Sequence, residues 1–223
     1  MGTLFVVATP IGNLNDITHR ALETLQEADF ILAEDTRVTK KLLSHYGIAT
    51  PQLSYHQHSK DKVQEKVLEL LSEGKNLALV TDAGTPGVSD PGNELISFLL
   101  STNPAISIVP VPGPSALTAL ASIAGIGMDR FLFLGYPPSK RGRKKFFEEV
   151  ASSPHPVVFY ESPHRIQKSL EELRDAAPNC SLVVAKELTK VFETVWRGSI
   201  DEVLKKMDNN KVRGEFAVLV AKS

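Results

Sequence analysis

Apolar residues gather into short, nearly unbroken runs, and each run is cut off by proline, glycine or a carboxylate. Residues 4–8 (LFVVA) stop at TPIGN, 30–33 (FILA) at EDT, 77–80 (LALV) at TDAGTPGVSDPG, and 106–111 (ISIVPV) at PGPS. Runs that are apolar throughout, rather than alternating, belong to strands buried on both faces of a parallel sheet. A weaker strand is predicted at residues 53–55. Helical spacing falls between the runs. One helix reaches about residue 28, with Asn15 or Asp16 able to cap it. Others are predicted over 38–46 (stopped by Gly47), 59–72 (closed by Gly74), 93–100 and the almost wholly apolar 116–124. Alternating strands and helices predict an α/β domain with a five-stranded parallel sheet.

The pattern restarts after residue 127. Strands are predicted at 131–136, 156–161, 181–185, 193–198 and 215–221, with helices at 140–152, 164–177 and 201–207. The strands at 181–185 and 193–198 follow one another through a short, helix-free connection, so the second sheet is predicted to be mixed. The chain divides into an N-terminal α/β domain (1–112), a connecting helix and linker (113–128) and a C-terminal α/β domain (129–223).

Composition narrows the class. Hydrophobic content of 42% and charged content of 23% suit an ordinary soluble globular protein, and a net charge of −1 excludes one that is basic throughout. A local basic patch remains open. With Cys180 alone, an internal disulfide and a cysteine-based zinc site are excluded, and no metal site is predicted. No apolar run approaches membrane-spanning length and no signal-peptide pattern opens the chain, so a cytoplasmic location is expected. The first strand runs into TPIGN, not GxGxxG, which disfavours a nicotinamide-binding domain. The nucleophile elbow GxSxG of a serine hydrolase is missing.

The loops that end the strands carry the candidate chemistry. Residues 81–92 hold three Gly, two Pro and two Asp, a backbone-rich stretch at the carboxyl end of a parallel strand, where open α/β sheets bind ligands. Loops 9–13, 34–37 and 112–115 end at the same sheet edge, and 161–165, 186–189 and 213–215 come from the second half. Together they predict a ligand in a cleft between the two domains.

Six segments, VATPIGNLNDIT (7–18), AEDTR (33–37), LVTDAGTPGVSDPG (79–92), VPGPSA (111–116), FYESPHR (159–165) and KELTK (186–190), closely resemble the ribosomal RNA small subunit methyltransferase I family. That family lies within the tetrapyrrole methylase superfamily, and the likeness covers essentially the whole chain in order. The resemblance implies S-adenosyl-L-methionine between two α/β domains, a homodimer, and 2′-O-methylation of a cytidine in small-subunit (16S) ribosomal RNA. It also implies cofactor contacts from Pro10, Asp82, Ala83, Gly84, Val88, Ser89, Ser115, Ala116, Tyr160, Leu188, Glu215, Phe216 and Ala217. Two departures stand out. Family members often continue beyond the last strand, whereas this sequence ends at Ser223, and its final motif reads Arg213-Gly214-Glu215-Phe216, with a single glycine and an aromatic.

A sulfonium cation suits a loop of carbonyls and carboxylates better than a lysine-lined phosphate cradle. Methyl transfer by direct displacement asks mainly for positioning, helped by removal of the hydroxyl proton. Candidates for that role are Glu34, Asp35, Glu161, His164, Lys186 and Glu187, with Lys186 a base if desolvated and His164 equally suited to a helix-start role. Lys140, Arg141, Arg143, Lys144 and Lys145 put five cations at a helix start, against the helix dipole, and phosphate binding supplies a reason. Arg37, Lys40, Lys41 and Arg165 extend this RNA track, while Phe146 and Phe147 are assigned to the core. Two rival readings keep the same fold: a methyltransferase acting on a small molecule or a protein, and a non-catalytic RNA-binding assembly factor.

Overall fold

The apolar runs of the first half become strands β1 (Thr3–Val7), β2 (Phe30–Ala33), β3 (Gln52–Ser54), β4 (Leu77–Val80) and β5 (Ser107–Val111). All pair in parallel, in the order β3-β2-β4-β1-β5. The computed structural model describes residues 1–55, 60–208 and 213–222, and its contacts separate two units, Met1–Ser115 and Ala116–Ser223.

Alternate side chains of the first sheet enter different cores. Val7, Ile31, Ala33, Ala78 and Val80 pack with Ala21 and Leu25 of α1 (His19–Glu27) and Leu43 of α2 (Thr36–His45). Leu4, Leu32, Leu77 and Leu79 pack with Val67, Leu70 and Leu71 of α3 (Lys60–Ser72) and Leu95 and Leu99 of α4 (Asn93–Thr102). Both faces are therefore covered, which is why the strands read as continuous apolar runs. The chain leaves β1 for a helix on one face and β4 for a helix on the other. Between these neighbouring strands the sheet opens a crevice at its carboxyl edge.

Helix starts shift from their predicted places for local reasons. Asn15 and Asp16 are taken up in a single 3-10 turn, Leu14–Asp16, capped by Asn13, so neither has the extended backbone a cap requires. Thr18 caps α1 instead, its hydroxyl accepting from the Ala21 N–H at 3.1 Å. Asp35 caps α2, accepting from the Arg37 N–H at 2.8 Å, and the helix begins two residues before the predicted position. Ser59, the predicted start of the third helix, lies outside the described residues.

The second unit contains α5 (Ala116–Ile123), β6 (Leu132–Phe133), α6 (Arg143–Ser152), β7 (Val157–Glu161), α7 (Ile166–Ala176), β8 (Cys180–Lys186), β9 (Thr194–Ser199), α8 (Ile200–Asp208) and β10 (Phe216–Lys222). Its sheet is mixed, in the order β6-β7-β10-β8-β9, with only the β6–β7 pair parallel. The predicted connector at 113–128 is divided. Helix α5 packs on β10, and its Ile123 carbonyl accepts from Arg197 of β9 at 2.6 Å, so it belongs to the second unit. Phe146 and Phe147 meet Phe159 edge-on at 5.6 and 6.2 Å, which makes them core, as their apolar neighbours suggest. Among the described residues no helix is long and apolar enough to cross a membrane.

Candidate functional site

Loops at the carboxyl edge of the first sheet are sewn together by main-chain bonds. The Thr9 N–H donates to the Gly84 carbonyl at 2.9 Å and the Gly84 N–H returns a bond to Thr9 at 3.1 Å. Thr9 Oγ1 donates to the Thr81 carbonyl at 3.2 Å, and Thr85 Oγ1 to the Pro114 carbonyl at 3.1 Å. Gly84 adopts φ +86°, and a Cβ there would press on Ile11 Cγ2 at 3.3 Å, so the bridge admits only glycine without strain. The end of β2 joins through the Asp35 N–H, which donates to Asp82 Oδ1 at 3.1 Å, while the Asp82 backbone bonds to the Glu34 carboxylate. Loops 9–13, 34–37, 81–92 and 112–115 thus share one edge.

That edge is acidic. Burial pushes the Glu34 carboxyl above the usual carboxylate range, and the nearby charges of Asp82 and Asp90 push it further. Burial raises Asp82 as well, against the opposing effect of the Asp35 N–H. Asp35 itself is held far below the usual range by its side-chain bonds to Arg37. A cation placed here would relieve the repulsion between Glu34 and Asp82. Thr81 Oγ1, buried beside them at the end of β4, has no hydrogen-bond partner among the described residues. Carboxylates held close and a buried hydroxyl lacking a partner fit a cationic ligand with polar ends. Of the residues predicted to line it, Pro10 is buried, Ser115 half-buried, and Asp82, Ala83, Val88 and Ser89 are exposed along the loop.

In the second sheet, β10 lies between β7 and β8, and its first residues face the ends of both. Phe216 pairs with Glu161 and with Lys186, and Ala217 with Tyr160 and Ala185. Segments 161–165, 186–190 and 213–215 therefore meet at one sheet end. Tyr160 stands edge-on to Phe133 at 5.0 Å and Tyr136 at 5.7 Å, and Leu188 is buried. The Glu187 carboxylate accepts from the Glu215 N–H at 2.9 Å and from Lys190 Nζ at 2.9 Å. Burial alone would raise its pKa, but these bonds outweigh burial and hold it low. Glu187 is thus a bound counter-charge and a poor base.

Two further candidates lie in one buried cluster of charges. Glu161, a candidate base, is fully buried and accepts from Ser169 Oγ at 2.5 Å and from its neighbour Ser162 N–H at 2.7 Å. It also pairs with Arg165 at 3.0 Å and Arg143 at 3.6 Å. Arg143, a candidate RNA contact, is only 7% exposed. Its guanidinium donates to Glu172 at 2.5 Å, Ser169 at 2.6 Å and the Pro138 carbonyl at 3.2 Å, and lies over the Phe147 ring. Arg165 donates to Ser162 Oγ and to the Pro137 carbonyl. These charges neutralise one another inside the fold, so Glu161 and Arg143 are engaged in holding the second unit together. Lys140, Arg141, Lys144 and Lys145 are exposed, as are Lys40, Lys41 and His164, and Lys186 is half-buried. Arg37 is exposed but paired with Asp35 at 2.6 Å. Thr9, Thr81, Lys190 and Gly214 lie within the quoted loops and motifs but carry no role of their own in the sequence analysis. Lys190 follows Glu187 by three residues, a helix-type spacing with no helix around it to give it meaning.

Comparison with known proteins identifies relatives in both sequence and fold. The family model described as Tetrapyrrole (Corrin/Porphyrin) Methylases matches residues 3–204. The chain is 45% identical to ribosomal RNA small subunit methyltransferase I of Synechocystis sp. across 99% of its own length and 79% of that protein. It is 43% identical to the Bacillus subtilis protein of the same name, across 99% and 75%. Among solved structures, a cobalt precorrin-4 methyltransferase of cobalamin biosynthesis superposes with a TM-score of 0.73 at 21% identity, covering 98% of this chain and 94% of that one. A Thermus thermophilus uroporphyrin-III C-methyltransferase, solved with S-adenosyl homocysteine, gives 0.65 at 18% identity, covering 98% and 97%.

Replacing Glu161 by Gln leaves half-buried Arg165 without its counter-charge and buried Arg143 with Glu172 alone. The expected loss is about 3–5 kcal/mol of stability, read from urea unfolding, whereas Arg141→Gln changes it by less than about 0.5 kcal/mol.

Proposed function

We propose that this chain, which belongs to the tetrapyrrole methylases and within them to the ribosomal RNA small subunit methyltransferase I family, methylates the ribose 2′-hydroxyl of a cytidine in small-subunit ribosomal RNA. The observation that carries the reading is the 45% identity across 99% of the chain to a relative of that name. S-adenosylmethionine, when bound, supplies an electrophilic methyl group on a sulfonium. In the first unit, the carboxylates of Glu34 and Asp82 offer the negative charge a sulfonium or an amino group seeks. The main chain at Pro10, Ala83, Gly84, Val88, Ser89 and Ser115 orients the remainder of the donor. In the second unit, the same role is assigned to Ala116, Tyr160, Leu188, Glu215, Phe216 and Ala217.

Holding the hydroxyl in line with the methyl group is the main catalytic task. His164 on its exposed turn and half-buried Lys186 are the groups suited to take up the hydroxyl proton, because Glu161 and Glu187 are occupied by their own cations. Lys140, Arg141, Lys144 and Lys145 supply phosphate contacts, with Arg143 anchoring the turn that displays them. We assign the protein to the cytoplasm as a homodimer. The decisive test is nucleoside mass spectrometry of small-subunit RNA from cells with and without the gene. Loss of 2′-O-methylcytidine supports the reading, and an unchanged nucleoside profile refutes it.

Two measurements probe the parts. Changing Lys140, Arg141 and Lys144 together to Glu weakens RNA binding by about tenfold or more and flattens its salt dependence, with donor affinity unchanged in calorimetry. The second concerns pH. Carboxyls with raised pKa take up protons earlier as pH falls, so the acidic edge loses charge above the ordinary carboxylate range. Affinity for S-adenosylmethionine should fall there before affinity for the uncharged thioether product, S-adenosylhomocysteine. The effect on folding has the opposite sign, since protonation of these two groups favours the folded state. Asp82→Asn flattens the pH dependence of the affinity ratio.

A further inference from the structure

Among the described residues, Glu187 (φ +53°) and Thr189 (φ +66°) are the non-glycine residues in the left-handed region, and they flank buried Leu188. A β-branched side chain such as that of Thr189 is especially unfavourable there. Local bonds hold the turn. The Glu187 N–H donates to the Glu215 carbonyl at 2.9 Å, and the Thr189 N–H donates to Glu193 Oε2 at 2.6 Å. Lys190 Nζ donates both to Glu187 Oε1 and to Glu215 Oε2, each at 2.9 Å. Across the turn, a Cβ on Gly214 (φ +92°) would overlap the Glu187 carboxylate, so the close approach is built into both loops.

From this juxtaposition we propose that Lys190, clamped between Glu187 and Glu215, is a positioning residue that keeps the 187–189 turn in its strained form to set Leu188 and Glu215 against the methyl donor. This inference rests on the assignment of Leu188 and Glu215 to the donor made above. Glycine at position 189 adopts the left-handed angles without strain but many others as well, so it removes the strain together with the fixed shape of the turn. The turn also explains why a lysine and two glutamates converge at a sheet end where a plain hairpin connection needs none of them.

The test uses the full chain and S-adenosylhomocysteine as the probe. Thr189→Gly relieves the left-handed strain. It is expected to leave the melting temperature unchanged or higher, while weakening S-adenosylhomocysteine about tenfold, the scale of one well-placed hydrogen bond. Lys190→Met should weaken the probe by a similar factor and raise KM for S-adenosylmethionine, with kcat at saturating donor and RNA affinity retained. Lys190→Arg should recover part of the loss. Wild-type affinity in both Thr189→Gly and Lys190→Met overturns the inference, and so does a loss of affinity that only tracks a fall in melting temperature. A wild-type chain that fails to bind the probe overturns the donor assignment beneath it, which separates the two failures.

Discussion

Two main-chain hydrogen bonds between Thr9 and Gly84 fix how the loops at the carboxyl edge of the first sheet lie against one another. They join the loops that follow β1 and β4, the neighbouring strands whose chains leave toward opposite faces of the sheet. A parallel sheet directs all its strand ends to one edge, and only at such a divergence is that edge left uncovered by helices. The bridge ties the two loops to one another, and Gly84 permits it because no side chain stands between the two backbones.

Charge is handled differently in the two units. In the first, burial raises the carboxyls of Glu34 and Asp82, and the charge of Asp82 raises Glu34 further, which makes both easier to protonate than ordinary ones. Arg37 is spent on Asp35 and relieves little of this repulsion. In the second, buried charge is fully paired: Arg143 and Arg165 close on Glu161, with Ser169 and Glu172 completing the set. That cluster ties the start of α6 to the end of β7 and to the turn carrying His164. The exposed cations at residues 140–145 are thus mounted on a rigid base, and the acidic edge of the first unit is left as a place that gains from a bound cation.

Conformational strain adds to this picture. The left-handed Glu187 and Thr189 sit where β8 gives way to the loop leading into β9, and the residues holding them come from both 187–193 and 213–215. Such a turn is maintained by its partners and not by its own preference, so its shape is a property of the assembled sheet end.

What the sequence determined by itself was whatever depends on neighbours along the chain. Apolar runs cut by TPIGN, EDT and TDAGTPG set five strands and their loops, helix-free connections foretold the mixed sheet, and motif spacing identified the family. Local capping was less legible, because Asn15, Asp16 and Thr18 are all acceptable caps and only the 3-10 turn selects among them. The tertiary structure decided the meaning of charge. Arg143 and Arg141 are alike in a basic run, yet one turn of backbone sends the first inward to Glu172 and leaves the second in water. Glu161 reads as a site carboxylate until Arg165 from the next turn and Arg143, eighteen residues earlier in the chain, converge on it. Burial and ion pairing are sums over residues distant in sequence, and no spacing rule along the chain contains them.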